Sequence, residues 1–322
     1  MFINFFIIII GFILLIYGAD LLVKGASGIA KRFHIAEIII GLTIVSLGTS
    51  LPELIITLVS SSSNSQELII GNVIGSNLCN LLLILGILTI MKPIHFKEST
   101  VKLHLPILIL INILVLVVGV IPNSKTTFTI NFKEGLILLF LALIYLSIPL
   151  IKQIKNKESS LNYSTSDISK LENSLLKSLI FILLGGFALK YGGDFVVNHS
   201  IQLAQIFNIS ESIIGLTIIA FGTSLPELIT SVVAVIKGNN SIAEGNIIGS
   251  CILNFTLILG FGATVSDIVL DSQCIENLIL LIASSTLIWL YSLYNKDYLL
   301  KSINGFILLI IFIIYLIRLF TI

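Results

Sequence analysis

The chain reads as apolar blocks of membrane-crossing length separated by short polar turns, and the alternation continues from one end to the other. A helix needs about 20 apolar residues to cross a bilayer. Windows of that kind lie near residues 2–24, 36–60, 68–91, 104–122, 133–152, 174–197, 209–235, 242–267, 275–294 and 302–320. They predict an all-α membrane protein with ten transmembrane helices. The short alternating segments of a membrane β-barrel are not seen. One longer polar interruption, rich in Lys, Ser and Asn, predicts a linker at 153–173 between an N-terminal five-helix unit, 1–152, and a C-terminal one, 174–322.

The two units are copies. Gly41–Leu54 reads GLTIVSLGTSLPEL and Gly215–Leu228 reads GLTIIAFGTSLPEL, with 11 of 14 positions identical. At the same offset of 174, Gly71–Asn80 (GNVIGSNLCN) aligns with Gly245–Asn254 (GNIIGSCILN) at six of ten positions. Tyr17, Gly18, Asp20 and Glu37 align with Tyr191, Gly192, Asp194 and Glu211. Chance likeness between Ile/Leu-rich helices does not hold register through polar residues, so a whole five-helix unit is duplicated. Five is odd, so the second copy enters the bilayer inverted relative to the first.

Charge sets the orientation. Basic residues collect on the cytoplasmic side of membrane proteins. With the N-terminus outside, only Lys125, Lys133, Lys190 and Arg318 fall outside, and the remaining 14 of the 18 Lys and Arg fall inside. Both termini are therefore expected outside a cell membrane, with the linker in the cytoplasm. Composition agrees: 56% of the 322 residues are hydrophobic and 11% charged, where a soluble domain carries roughly 25% charged. A net charge of +1 with no basic run offers nothing to nucleic acid. The three cysteines make no CxxC pair and read as small apolar side chains. The first basic residue is Lys24, so residues 2–24 read as a retained span and not a cleavable signal.

The chemistry sits where the repeats are most alike. Pro52 lacks an N–H and clashes with the carbonyl of Gly48, so the second span is expected to break, freeing main-chain carbonyls around Ser46–Thr49. Pro226 does the same around Ala220–Thr223 in the seventh. Irregular backbone at membrane depth is tolerated where it lines a cavity. Glu53 and Glu227 follow the prolines directly, four residues after Thr49 and Thr223, which puts acid and hydroxyl on one helix face. The two breaks run in opposite directions and are expected to meet near the midplane about a pseudo-twofold axis. Two carboxylates with threonine hydroxyls and carbonyls approach the six to eight hard oxygens that Ca²⁺ takes. With no His or Cys in either motif, zinc and copper are disfavoured.

Asn72, Ser76 and Asn80 form a polar stripe on the third span, and Asn246, Ser250 and Asn254 repeat it on the eighth. Ser76, Asn80, Ser250 and Asn254 are expected to coordinate ions, and Asn72 and Asn246 to hydrogen-bond neighbouring helices. Gly71, Gly75, Gly245 and Gly249 beside the stripes predict close helix approach. Asp20–Lys24 and Lys190–Asp194 read as structural ion pairs at helical spacing. Glu37, Glu67, Glu211 and Glu244 sit at span ends and read as solvated.

On these motifs, the doubled GTSLPEL each followed by GN-x-x-GS, the chain resembles the sodium/calcium exchanger family of the cation/calcium exchanger superfamily in its compact prokaryotic form. The resemblance covers essentially the whole chain. It implies ten helices and ion sites clustered around Glu53 and Glu227. Thr49, Thr223, Ser76, Ser250, Asn80 and Asn254 then contribute oxygens, as do the main-chain carbonyls of Ser46 and Ala220. It also implies that spans one and six slide as a pair across the remaining bundle. Asn254 departs from relatives with aspartate there and leaves two fixed acids. The proton-coupled branch typically carries an acid after its GN motif; GNVIGS and GNIIGS lack it, which favours Na⁺.

The expected activity is antiport of Ca²⁺ against Na⁺ by alternating access, with both ions bound as substrates, no cofactor, and no protein partner implied. A H⁺-coupled Ca²⁺ antiporter is the alternative. A cation channel is less favoured, because one chain supplies both halves of the site and a channel would more naturally form a ring of subunits. An intramembrane enzyme using paired acids would show catalytic motifs such as HExxH or GxSxG, and none is present.

Overall fold

The computed structural model describes residues 2–33, 35–62, 66–120, 129–159, 175–206 and 220–321, and they are almost wholly helical. In chain order the helices are α1 (Phe2–Phe33), α2 (Glu37–Thr49), α3 (Leu51–Ser62), α4 (residues 66–91), α5 (Thr100–Val120), α6 (Phe132–Ser159), α7 (Leu175–Ile206), α8 (Ala220–Thr223), α9 (Leu225–Ile236), α10 (Asn240–Val265), α11 (Ser272–Tyr294) and α12 (Ser302–Thr321). Among the described residues, seven helices are long and apolar enough to cross a bilayer, and eight if α2 and α3 make one bent span. The chain is thus a multi-pass membrane protein. The expected span at 133–152 corresponds to α6, which continues to Ser159 into the segment read as linker. The expected span at 209–235 is described only from residue 220, as α8 and α9.

Lipid and core divide the helices. The spanning windows of α4 and α10 are 78% and 83% buried, whereas those of α1, α5, α7, α11 and α12 are 28–39% buried. Leu and Ile alone do not explain this, since every helix has them. What sets α4 and α10 apart is the Asn/Ser stripe, which costs several kcal/mol against lipid unless partnered inside. The outer helices instead present Phe6, Leu183, Phe187, Ile314 and similar side chains outward.

α1 and α7 pack antiparallel through small residues seven apart on both sides. Gly11 faces Gly192, Gly18 faces Gly185 and Gly25 faces Ser178. A methyl on Gly18 would lie 2.9 Å from the Gly185 carbonyl, and one on Gly185 2.7 Å from the Gly18 carbonyl. No side chain fits such a backbone contact. Gly245 and Gly249 behave similarly: a methyl added to either would lie within 2.9 Å of backbone atoms of Ile38 or Leu42 in α2. Gly71 and Gly75 do not: an added methyl there meets no described atom within 4 Å, so close packing at those two is not what the structure shows.

Two short antiparallel ladders tie the halves together outside the helices. β1 (Ile94–His95) pairs with β4 (Leu299–Leu300), and β2 (Thr129–Ile130) pairs with β3 (Ile268–Val269). Each ladder joins one strand from either unit.

Candidate cation site

The proline motifs shape the backbone first. The axis turns by 44° between α2 and Leu51–Leu58 of α3, and Ser50 at the break leaves helical geometry with φ −84° and ψ 12°. Ser224 takes the matching conformation, φ −86° and ψ 1°, between α8 and α9. Pro52 and Pro226 sit in the first turn of the following helix, where a missing N–H costs nothing. The expectation of freed carbonyls needs correction at Ser46. Its oxygen accepts the Ser50 N–H at 3.0 Å, and the Thr49 hydroxyl oxygen stands 3.3 Å away. A bend of this size keeps that bond because the missing donor is Pro52, two residues further on. Ala220 lies at the start of α8, the first residue described there.

The breaks bring the two acids into one network. Glu53 and Glu227 are both fully buried. Ser76 of α4 donates to Glu53 Oε1 at 2.8 Å, and Ser50 donates to Glu227 Oε1 at 2.9 Å. The serines then cross between halves: Ser50 Oγ lies 3.1 Å from Ser250 Oγ, and Ser76 Oγ lies 3.1 Å from Ser224 Oγ. The threonines follow the same pseudo-twofold rule. Thr49 donates to Asn246 Oδ1 at 3.0 Å and Thr223 to Asn72 Oδ1 at 3.3 Å. The reading of Asn72 and Asn246 as interhelical hydrogen-bonders agrees with these contacts, and Asn246 also donates to Ser231.

Several oxygens in this network have no partner. Glu53 Oε2, Glu227 Oε2, Asn254 Oδ1 and both amide atoms of Asn80 are buried and unsatisfied. A buried polar group left unpaired costs about 1–3 kcal/mol, and a charged one more. Four of these five atoms are oxygens, two of them carboxylate, and the fifth is the Asn80 nitrogen. Among the described residues, no group of three His, Cys, Asp or Glu gathers in one place. The donor set is therefore two carboxylates with neutral hydroxyl and amide oxygens, suited to hard cations.

Asn80 and Asn254 each stand at a widened helical turn, Cys79–Ile84 in α4 and Asn254–Leu259 in α10. Such π-turns re-aim side chains and recur at functional sites. Asn77, which the sequence stripe skips, proves central: it accepts from Asn254 Nδ2 at 3.0 Å and donates to the Cys251 carbonyl at 3.0 Å. Ser50 and Ser224 were also missed by a reading that weighed threonine and glutamate. Their signal was present, since both belong to the GTSLPE identity between repeats.

A cavity of about 310 Å³ is lined by Pro52, Thr223 and Pro226 at the breaks and by Lys190 and Asp194 of α7. Lys190 and Asp194 form the expected ion pair at 3.6 Å. At the opposite end of the bundle, Asp20 of α1 pairs with Lys24 at 2.7 Å, as expected, and also with Lys237 just beyond α9. Asn239 donates to Ser27 beside it at 3.0 Å. Glu244 overturns its reading as a solvated acid. It is 2% exposed and accepts the Lys97 N–H at 2.9 Å, because the loop before α5 folds over the start of α10. Glu37 is half-buried, and the Glu67 side chain and Glu211 lie outside the described residues.

Comparison with known proteins finds relatives along most of the chain. The family model described as sodium/calcium exchanger protein matches residues 3–151 and 177–321. The chain is similar to the sodium/calcium exchanger MaX1 of Methanosarcina acetivorans, 30% identical over 350 aligned positions and 99% of each chain. It is 34% identical to the inner membrane protein YrbG of Escherichia coli over 247 residues, 74% of this chain and 73% of that one. Among solved structures it resembles the sodium-calcium exchanger NCX_Mj soaked with 2.5 mM Na⁺ and 0.1 mM Ca²⁺, with TM-score 0.81, 29% identity and 97% of each chain covered.

Proposed function

The chain belongs to the sodium/calcium exchanger family, and from that premise we propose that it exchanges Ca²⁺ for Na⁺ across the cell membrane by alternating access. On this reading it has ten spans in two inverted five-helix repeats, 1–152 and 174–322. Support comes from the offset of 174 in the sequence and from hydrogen bonds that recur in mirrored pairs, Thr49–Asn246 with Thr223–Asn72 and Ser50–Ser250 with Ser224–Ser76.

One observation carries the proposal. Glu53 and Glu227, one from each unit, are sealed from solvent in a single hydroxyl network with an unsatisfied oxygen on each. Two uncompensated carboxylates in a low-dielectric interior are costly. One Ca²⁺, or Na⁺ ions at adjacent positions, removes that cost, and the two loads compete for the same oxygens. Glu53, Glu227, Thr49, Thr223, Ser76, Ser250, Asn80 and Asn254 supply the ligands, with Ser50 and Ser224 added to them. The Ala220 carbonyl retains its assigned role, and the Ser46 carbonyl is the weakest member because the Ser50 N–H already occupies it. The empty site carries two charges that resist crossing an apolar barrier, so loaded forms switch access and the bare form does not. Exchange is thereby obligatory.

Flux of radiolabelled Ca²⁺ into proteoliposomes tests this. Uptake is expected to require an opposing Na⁺ gradient and to fall by about 100-fold or more in Glu53→Gln or Glu227→Gln, equivalent to about 2.7 kcal/mol of lost interaction. Uptake that ignores Na⁺ and follows a pH gradient would instead establish proton coupling, and flux without countertransport would establish a channel.

A further inference from the structure

A second cavity, of about 690 Å³, opens at the end of the bundle away from the Thr223 route, between α1 and α7. Lys24 and Lys31 enter it from α1, Lys177 from the start of α7 and Lys237 from the turn after α9, with Ser27 and Asn239 beside them. Asp20, the nearby acid, is already shared by Lys24 and Lys237. Among the described residues neither Lys31 nor Lys177 has a carboxylate partner, and Lys177 Nζ stands 5.6 Å over the Phe181 ring. Among the described residues four ammonium groups thus converge with one carboxylate between them, although like charges brought together repel.

Duplication does not explain the cluster. The repeat mates of Lys24, Lys31 and Lys237 are Asn198, Gln205 and Ser63, and Lys177 corresponds to Ile3, all neutral. The mirror-related mouth is lined by one lysine and one aspartate. A general excess of inner-face lysine would scatter over the loops; here the lysines come from three elements and meet at one void. Its walls continue into the lipid-facing surfaces of α1 and α7, where Leu176, Ile180 and Leu184 are exposed.

We propose that this cavity binds the headgroup phosphate of an anionic phospholipid, with Lys31 and Lys177 as the principal contacts and Ser27 and Asn239 as neutral donors. Basic pockets between transmembrane helices suit such headgroups, and the cytoplasmic leaflet that supplies them is anionic. Binding itself does not depend on the transport reading. Its consequence does: a phosphate held here joins the α1–α7 pair to the end of α9 and favours the access state in which they touch.

The test uses the purified full-length chain in neutral detergent. Phosphatidylglycerol in mixed micelles is expected to raise the thermal unfolding midpoint, and phosphatidylcholine is not. Native mass spectrometry should show phosphatidylglycerol retained. In the double variant Lys31→Gln, Lys177→Gln, affinity should weaken roughly 30-fold, which converts to about 2 kcal/mol. Lys92→Gln with Lys301→Gln, exposed lysines outside this cavity, should leave it intact. Undiminished retention in the Lys31/Lys177 variant would overturn the site. An equal stabilisation by inorganic phosphate at matched concentration would overturn the lipid assignment in favour of a small anion. None of these measurements involves Na⁺ or Ca²⁺ flux, so failure of the transport reading would leave them standing, and the reverse.

Discussion

Asn77 and Cys251 occupy the same place in the two repeats, and that difference makes the two candidate asparagine ligands unequal. Asn254 commits its nitrogen to Asn77 Oδ1, which leaves its own Oδ1 unpartnered and presented as an oxygen. Asn80, its repeat mate, would need the Cys251 thiol to play the same part, and sulfur is a weak acceptor. Neither amide atom of Asn80 is satisfied. The protein therefore has one asparagine fixed as an oxygen donor and one whose amide is held by nothing described. Replacing Asn77 by Leu removes the acceptor, and Asn254 is then free to turn its amide protons toward the cation. Loss of one such bond costs about 1–3 kcal/mol, so the half-saturating Ca²⁺ concentration in vesicle uptake is expected to rise about tenfold with little loss of maximal rate. An unchanged concentration dependence would reduce Asn77 to a packing residue.

Helices rather than single side chains decide what moves. α1 and α7 touch along their length through Gly11, Gly18 and Gly25 against Gly192, Gly185 and Ser178, and under the proposed alternating access we expect them to move together. Backbone-to-backbone contact of this kind has no side chains to interlock with other helices, which suits a pair that slides as a body. Gly185→Val tests the pairing. The added carbons collide with the Gly18 carbonyl and the Leu22 N–H, both 2.7 Å from the new Cβ. Overpacking costs typically 1–3 kcal/mol, and the unfolding temperature of the purified protein should fall. Gly186→Val, one residue along, where no described atom lies within 4 Å, should leave it unchanged.

The molecule as a whole is a near-symmetric object made asymmetric by charge. Its sequence motifs and described hydrogen bonds recur in the two units, while lysine does not: Lys237, which pairs with Asp20, has Ser63 as its mate. At the other end Asp194 pairs within its own helix and borders the open cavity. By the positive-inside rule, the lysine excess leads us to propose that the Asp20–Lys237 end faces the cytoplasm and both termini face outward. A C-terminal alkaline phosphatase fusion in a bacterial host is then expected to be active, and a C-terminal green fluorescent protein fusion dark. The opposite pair of results would invert the topology and place the 310 Å³ cavity on the inner face.

Much of this was legible before any coordinates. Apolar windows located the helices, since crossing length is a one-dimensional property of composition. The offset of 174 exposed the duplication, and Pro52 and Pro226 located the breaks, because a missing N–H acts within four residues. Those are local or periodic effects, and the chain alone determines them. What the chain could not reveal is who meets whom across it. Ser50 reaching Glu227, Asn77 holding Asn254, Lys237 finding Asp20 and Lys97 burying Glu244 join residues roughly 150 to 220 apart in sequence. No periodicity encodes such contacts. They follow from how the helices of the two units pack, and packing is settled only when every helix competes at once for the same polar partners and the same buried volume.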